Sequence, residues 1–228
     1  MGYAISVLIS TYDNRRFIEK KLDEVRRQSF FAQAEFVFIE TASPGRERDL
    51  LAPFCEAHRN CRLLTSERRR TLYEAWNLGW DAASAPLLCY SNMDDAMHPR
   101  LLETVVAAMG EHPWDAASVL IAKQHENDPA LDDWSIERIR LLEWSSRPGP
   151  FTVWRSDLKG RIGQFDGRFA SAGDKDFWAR IAAYRLRVGL VKRVLYLYTR
   201  SSRQLSKTRD TTRQEADDRL HREKPYPA

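Results

Sequence analysis

The stretch Ala85–Pro99, APLLCYSNMDDAMHP, decides the reading of this chain, because an apolar run there stops abruptly at two adjacent carboxylates. Leu87–Tyr90, bounded by Pro86 and by Ser91, Asn92 and Asp94, has the pattern of a parallel strand buried on both faces. In open α/β sheets ligands bind outside the carboxyl ends of the strands, so Asp94 and Asp95 are expected to face a crevice. Paired carboxylates there suit a divalent cation held by oxygen ligands. The competing explanation is an ordinary turn, which Asp also favours. Pro99 is placed to open a helix, with Leu101, Leu102, Val105, Val106 and Met109 on its apolar face and Gly110 at its end.

Toward the N-terminus the same unit repeats. Ala4–Ser10 (AISVLIS) is a strand pattern ending at Thr11, Tyr12, Asp13 and Asn14, followed by helical spacing of Phe17, Ile18, Leu22 and Val25. Glu35–Glu40 (EFVFIE) predicts a second strand, with a helix over about 46–58 bent at Pro53. Cys61–Thr65 predicts a third strand, and a helix over Leu72–Ala83 leads back to the Leu87 strand. Strands alternating with helices imply a parallel sheet with right-handed crossovers. Toward the C-terminus Ala116–Ala122 and Phe151–Trp154 read as strands and Ser156–Gly163 as a short helix or turn. DKDFWARIAAY has the pattern of a longer helix. Lys123–Pro150 loses periodicity and carries Trp134 and Trp144. The last strand is Val188–Tyr198; Lys192 and Arg193 interrupt it, and its central or edge position stays open.

With 228 residues, 43% of them hydrophobic, the chain can bury one sizeable core. Its 36 basic and 32 acidic residues are interspersed, so nucleic acid is not implied. The local cluster Arg68, Arg69, Arg70 is the one suited to a diphosphate. Cys55, Cys61 and Cys89 form no CxxC pair, which argues against zinc and against a disulfide framework. No run has the length of a transmembrane segment, and MGYAISVLIS lacks the features of a secretory signal, so a cytoplasmic protein is expected.

VLISTYDN at the first strand, Glu40 closing the second, NMDD after the fourth, and WRSDLKGRIGQFDGRFASAGDKDFWARI occur in an order that resembles the family 2 glycosyltransferases. The resemblance covers most of residues 4–200. It implies the GT-A fold, a single Rossmann-like α/β domain over 1–206 with a mostly parallel sheet flanked by helices. Residues 1–99 would be the nucleotide-sugar-binding half and 100–206 the acceptor and catalytic half. The polar segment 207–228 reads as a loose helix or a disordered tail.

The activity implied is an inverting, metal-assisted transfer of a sugar from a nucleotide-diphosphate donor, a UDP-sugar by expectation, to a hydroxyl of a glycan or lipid-linked acceptor. Peripheral association with a membrane or complex is left open. By the same resemblance Thr11, Tyr12 and Asp13 hold the nucleotide, Glu40 its base or ribose, and Arg70, with Arg69 as alternative, the diphosphate. Asn77 and Asp94 join the donor site. Asp94 and Asp95 form the DXD-like site for Mg²⁺ or Mn²⁺, with Asp95 as direct ligand. Asp174 is the base and Asp176 the runner-up, although Asp174 is also placed to cap a helix. Trp134 and Trp144 either stack on acceptor sugars or anchor the core.

Two positions depart from the family pattern. Gly173 stands where Glu commonly precedes the catalytic Asp, and Tyr198–Ser206 offers no His after the last strand, leaving His98 as a substitute third ligand. The rival from another class is a non-catalytic module that binds a nucleotide-sugar or glycan within a polysaccharide assembly complex. A nucleotidyltransferase fits less well, because STYDNRR has no glycine-rich phosphate cradle.

Overall fold

The computed structural model describes residues 2–128, 133–140, 142–145, 149–200 and 211–223. In chain order its strands are β1 (Ile5–Thr11), β2 (Ala34–Thr41), β3 (Cys61–Ser66), β4 (Leu87–Tyr90), β5 (Ala96–Met97), β6 (Ala116–His125), β7 (Glu143–Ser145), β8 (Val153–Arg155) and β9 (Val188–Arg200). The helices are α1 (Ile18–Arg26), α2 (Arg48–Ala57), α3 (Leu72–Ala82), α4 (Leu101–Glu111), α5 (Ile136–Arg140), α6 (Leu158–Ile162), α7 (Gly173–Ala183) and α8 (Thr211–Glu223). One sheet runs β3-β2-β1-β4-β8-β6-β9-β5, with β7 paired to β6. The long ladders are parallel, and short antiparallel ladders at β8, β7 and β5 complete the sheet.

The period-2 alternation of the strands divides the core in two. Ile5, Val7, Ile9, Phe36, Phe38, Leu87 and Cys89 face one side, where Ile18 and Val25 of α1, Leu51 of α2 and the Leu101, Leu102, Val105, Met109 stripe of α4 cover them. Leu8, Val37, Ile39, Leu88 and Tyr90 face the other, under Tyr73, Trp76 and Trp80 of α3 and Phe177 and Ile181 of α7. Each such side chain contributes about 1.5–3 kcal/mol by leaving water. Gly79 lets α3 approach the sheet, since a Cβ there would lie 2.8 Å from Ile39 Cδ1.

The structure corrects several sequence-based boundaries. α4 begins at Leu101 and not at Pro99, whose carbonyl accepts the Ser29 N–H at 2.8 Å, and it runs through Gly110 to Glu111. α7 begins at Gly173, which places Asp174 inside the first turn and not at the cap. β9 lies between β6 and the two-residue β5. Its register on β6 shifts after Val119↔Val191 to Leu120↔Val194, so Lys192 and Arg193 are the exposed residues of an irregularity in the strand. Within the polar C-terminal segment, α8 packs Leu220 against the second core. Among the described residues no helix is long and apolar enough to cross a membrane.

Candidate active site

From β1 the chain crosses to β2 on one side, while β4 pairs on the other, so the gap beyond the carboxyl ends of β1 and β4 is a topological switch point. A cleft of about 790 Å³ opens there. Its walls come from the loop after β1, the arginine run and start of α3, the loop after β4, and the turn into α7. A capping box fixes the start of α3: Thr71 Oγ1 accepts the Glu74 N–H at 3.1 Å, and Glu74 Oε2 accepts the Thr71 N–H at 2.9 Å.

Thr11, Tyr12 and Asp13 all line this cleft. Thr11 Oγ1 is buried with no hydrogen-bond partner among the described residues. The Arg69 guanidinium lies 4.2 Å from the Tyr12 ring centroid, and Arg70 stands beside it with Nε on Ser66 Oγ at 3.1 Å. Asp13 sits at φ +54°, a left-handed conformation that strains a residue with a Cβ, and its N–H donates to Ser43 Oγ at 2.9 Å. It caps no helix.

The adjacent carboxylates diverge. Asp94 lines the cleft, as does Asn92. Asp95 turns inward: Oδ1 accepts the Thr199 N–H at 2.8 Å, and Oδ2 accepts Asn92 Nδ2 at 2.8 Å and the Tyr196 hydroxyl at 2.9 Å. Asp95, expected as the direct metal ligand, is thus a strut under the loop, with both oxygens engaged and no place in the cleft lining. Burial pushes its carboxyl well up, and the neighbouring charge of Asp94 adds to this. Burial also raises Asp94, against the opposing pull of Lys21 and Arg16. Lys21, itself buried, pairs with Glu24 at 2.7 Å and donates to the Asp95 carbonyl at 2.9 Å, tying α1 to this loop.

Asp174 lines the same cleft from the first turn of α7. Burial raises its pKa, while the Lys175 N–H and the Tyr73 hydroxyl, 3.5 Å from Oδ1, pull the other way. Gly173 packs against the Tyr73 ring, where a Cβ would come within 2.8 Å, so no side chain fits where the resembled family commonly has Glu. Asp176 is fully buried in an ion pair with Arg180 at 2.8 Å and is off the cleft.

Other expected site residues lie elsewhere. Glu40 is buried with Oε2 bound to Arg48 Nε at 3.0 Å and Oε1 accepting the Ser43 N–H, so both oxygens serve the turn after β2. Asn77 grips the 165 loop, with Nδ2 donating to the Phe165 carbonyl at 2.7 Å and Oδ1 accepting its N–H at 3.1 Å. His98 meets Trp134 edge-on at 5.0 Å in a separate recess with Arg140 and Arg193, so neither it nor Trp134 reaches the cleft. The Trp144 side chain lies outside the described residues. Conversely, Arg16, Asn92, Ser171 and Tyr198 line the cleft without having been singled out. Arg16 and Asn92 sit in the loops after β1 and β4, where strand-end logic finds them; Ser171 and Tyr198 carry no such signal.

Among the described residues no three His, Cys, Asp or Glu side chains converge as a metal cage. The donors present fit a different type of site, in which one or two oxygen ligands hold a cation shared with substrate phosphates. Asp94 and Asn92, which line the cleft, are the residues that would supply such oxygens.

A family model described as Glycosyl transferase family 2 matches residues 6–169. Glycosyltransferase AglE of Haloferax volcanii is 24% identical over 177 residues, 75% of this chain and 58% of that protein. Among solved structures, S. aureus TarS in complex with UDP aligns with a TM-score of 0.69 at 19% identity over 87% of this chain and 61% of that one. The mannosyltransferase PcManGT from Pyrobaculum calidifontis, in complex with GDP-Man and Mn²⁺, aligns with a TM-score of 0.73 at 18% identity over 100% of this chain and 66% of that one. The fold is thus shared with GT-A glycosyltransferases, while the chain spans under two thirds of the length of AglE and of TarS.

Proposed function

Because the chain belongs to glycosyl transferase family 2, we propose that it transfers a sugar, with inversion, from a nucleotide-diphosphate donor to a hydroxyl of a glycan or lipid-linked acceptor. The observation that carries this reading is that Asp94 and Asp174, 80 residues apart in sequence, share one cleft with Arg69 and Arg70. In this reading Tyr12 and Thr11, which line the cleft, would meet the nucleoside, and the two arginines the diphosphate. Asp94 with Asn92 would hold Mg²⁺ or Mn²⁺, whose chemistry there is to neutralise charge on the departing diphosphate. Asp174 takes the proton of the acceptor hydroxyl as its oxygen attacks the anomeric carbon opposite the diphosphate; the C–O bond to the diphosphate breaks, and its electron pair leaves with the phosphate. Burial of Asp174 makes it a stronger base than a solvated Asp.

The complexes of TarS with UDP-GlcNAc and of PcManGT with GDP-Man and Mn²⁺ supply the donor candidates and support a divalent ion. Three unpaired cysteines suit a reducing cytoplasm. The test is a panel of UDP- and GDP-sugars scored by melting temperature with Mn²⁺ or EDTA, and by release of UDP or GDP. At least one donor should stabilise the chain only with metal and be turned over. Saturable binding of UDP-GlcNAc or GDP-Man with no turnover would favour the non-catalytic module instead.

A further inference from the structure

Ala170 and Ser171 line the cleft a few residues before Asp174. Phe169 and Ala172 on either side pack into the second core, but Ala172, which caps α7, offers the turn no side-chain bond. A polar anchor comes from α8. Asp217 Oδ1 accepts the Ala170 N–H at 2.9 Å, and Oδ2 accepts both the Ser171 N–H and the Ser171 hydroxyl at 2.9 Å. The carboxylate belongs to a residue only 3% exposed on a helix whose neighbours Glu215, Ala216, Asp218 and Arg219 are exposed. Leu220, on the second core, and His221, 4.7 Å from the Phe169 ring, seat the helix. Burying a carboxylate is costly unless it is hydrogen-bonded, and all three donors it meets lie on the segment facing the cleft.

We infer that Asp217 is a positioning residue for transfer: α8 clamps the 170–171 corner and thereby fixes the direction in which Asp174 faces the reacting groups. This rests on the glycosyltransferase reading and adds to it that the C-terminal helix, without lining the cleft, braces one of its walls.

The test uses the full chain with Asp217→Asn, which keeps the shape but sets an NH₂ group against an N–H donor. Two readouts are taken: hydrogen exchange at the Ala170 and Ser171 amides, and release of UDP from UDP-GlcNAc or GDP from GDP-Man with Mn²⁺. Exchange at those two amides should quicken by about tenfold or more. kcat should fall about tenfold while the donor KM stays within about twofold, because a small misplacement of a reacting group acts on the chemical step. Ser171→Ala, which removes one of the three bonds, should move both readouts in the same direction by less, and it decides the matter if Asp217→Asn does not fold. Unchanged exchange overturns the clamp, and faster exchange with unchanged kcat overturns the positioning role. A wild-type chain that turns over no donor overturns the transferase reading instead, and exchange still reports whether the clamp exists.

Discussion

Replacing each of the adjacent carboxylates by alanine separates the two roles assigned to them. Asp95→Ala removes the acceptor from two buried donors, the Thr199 N–H and the Tyr196 hydroxyl, and from the half-buried Asn92 amide. A stranded buried donor costs about 1–3 kcal/mol. Part of that is offset, because burial and the charge of Asp94 make the ionised Asp95 itself unfavourable. A net loss of about 2–4 kcal/mol is expected, which for a chain of this size lowers Tm by about 5–15 °C. Asp94→Ala leaves those three donors satisfied, so Tm should stay within about 2 °C of wild type. It should instead abolish the difference between UDP affinity in Mn²⁺ and in EDTA. Scanning fluorimetry gives the first quantity and titration calorimetry the second. If Asp95→Ala melts like wild type but loses the metal-dependent increment, while Asp94→Ala keeps it, the inward and outward assignments are reversed and the metal site must be rebuilt around Asp95.

Asp174 predicts a pH dependence of activity and, with opposite sign, of stability. As a base it must be ionised, so kcat should fall as pH drops through a pKa held above the usual Asp value of about 3.9 by burial, and Asp174→Asn should leave donor binding intact with turnover nearly gone. A raised folded-state pKa means the native chain holds this proton more tightly than the unfolded one; its stabilising effect is complete below the unfolded pKa and lost as pH rises through the folded one. Asp174→Asn should therefore melt slightly above wild type at pH 7, and a lower Tm there would contradict the burial argument. Asn77→Ala removes both bonds to Phe165 and should cost about 2 kcal/mol in denaturant unfolding with UDP affinity unchanged, whereas a large loss of affinity would return Asn77 to the donor site.

The parallel half of the sheet was legible because its strands are buried on both faces, and such burial writes itself as uninterrupted apolar runs. VLIS, FVFI and LLCY could hardly be anything else once their lengths were set against the helical spacings between them. The far side of the sheet was less legible for equally physical reasons. β5 has only two residues, too few for any period, and exists because β9 offers it a partner. Lys192 and Arg193 read as a break in the last strand, and they are one, but whether a charged pair marks a strand end or an outward irregularity depends on the partner's register. The start of α3 carried a signal that was there to be used, Thr71 with Glu74 three residues on.

For the site, strand-end logic found the loops but could not find the directions. Asp94 and Asp95 follow one another in a turn beyond the end of β4, where no strand period says which of them faces inward. Which one was decided by donors 101 and 104 residues away. The same holds for Asn77, whose partner is 88 residues on. A side chain whose polar atoms are all taken by tertiary partners, as those of Asp95 and Asn77 are, has none left for a ligand, and that is decided by distant segments rather than by its own neighbourhood. Asp176 is the instructive exception. Arg180 stands four residues along the same helix, a spacing that brings the two side chains together, and it leaves Asp176 with a structural partner before any substrate arrives. Asp174 has its i+4 neighbour in Trp178, which offers no such charge, so the order of the residues alone gives Asp176 a charged helical partner that Asp174 lacks.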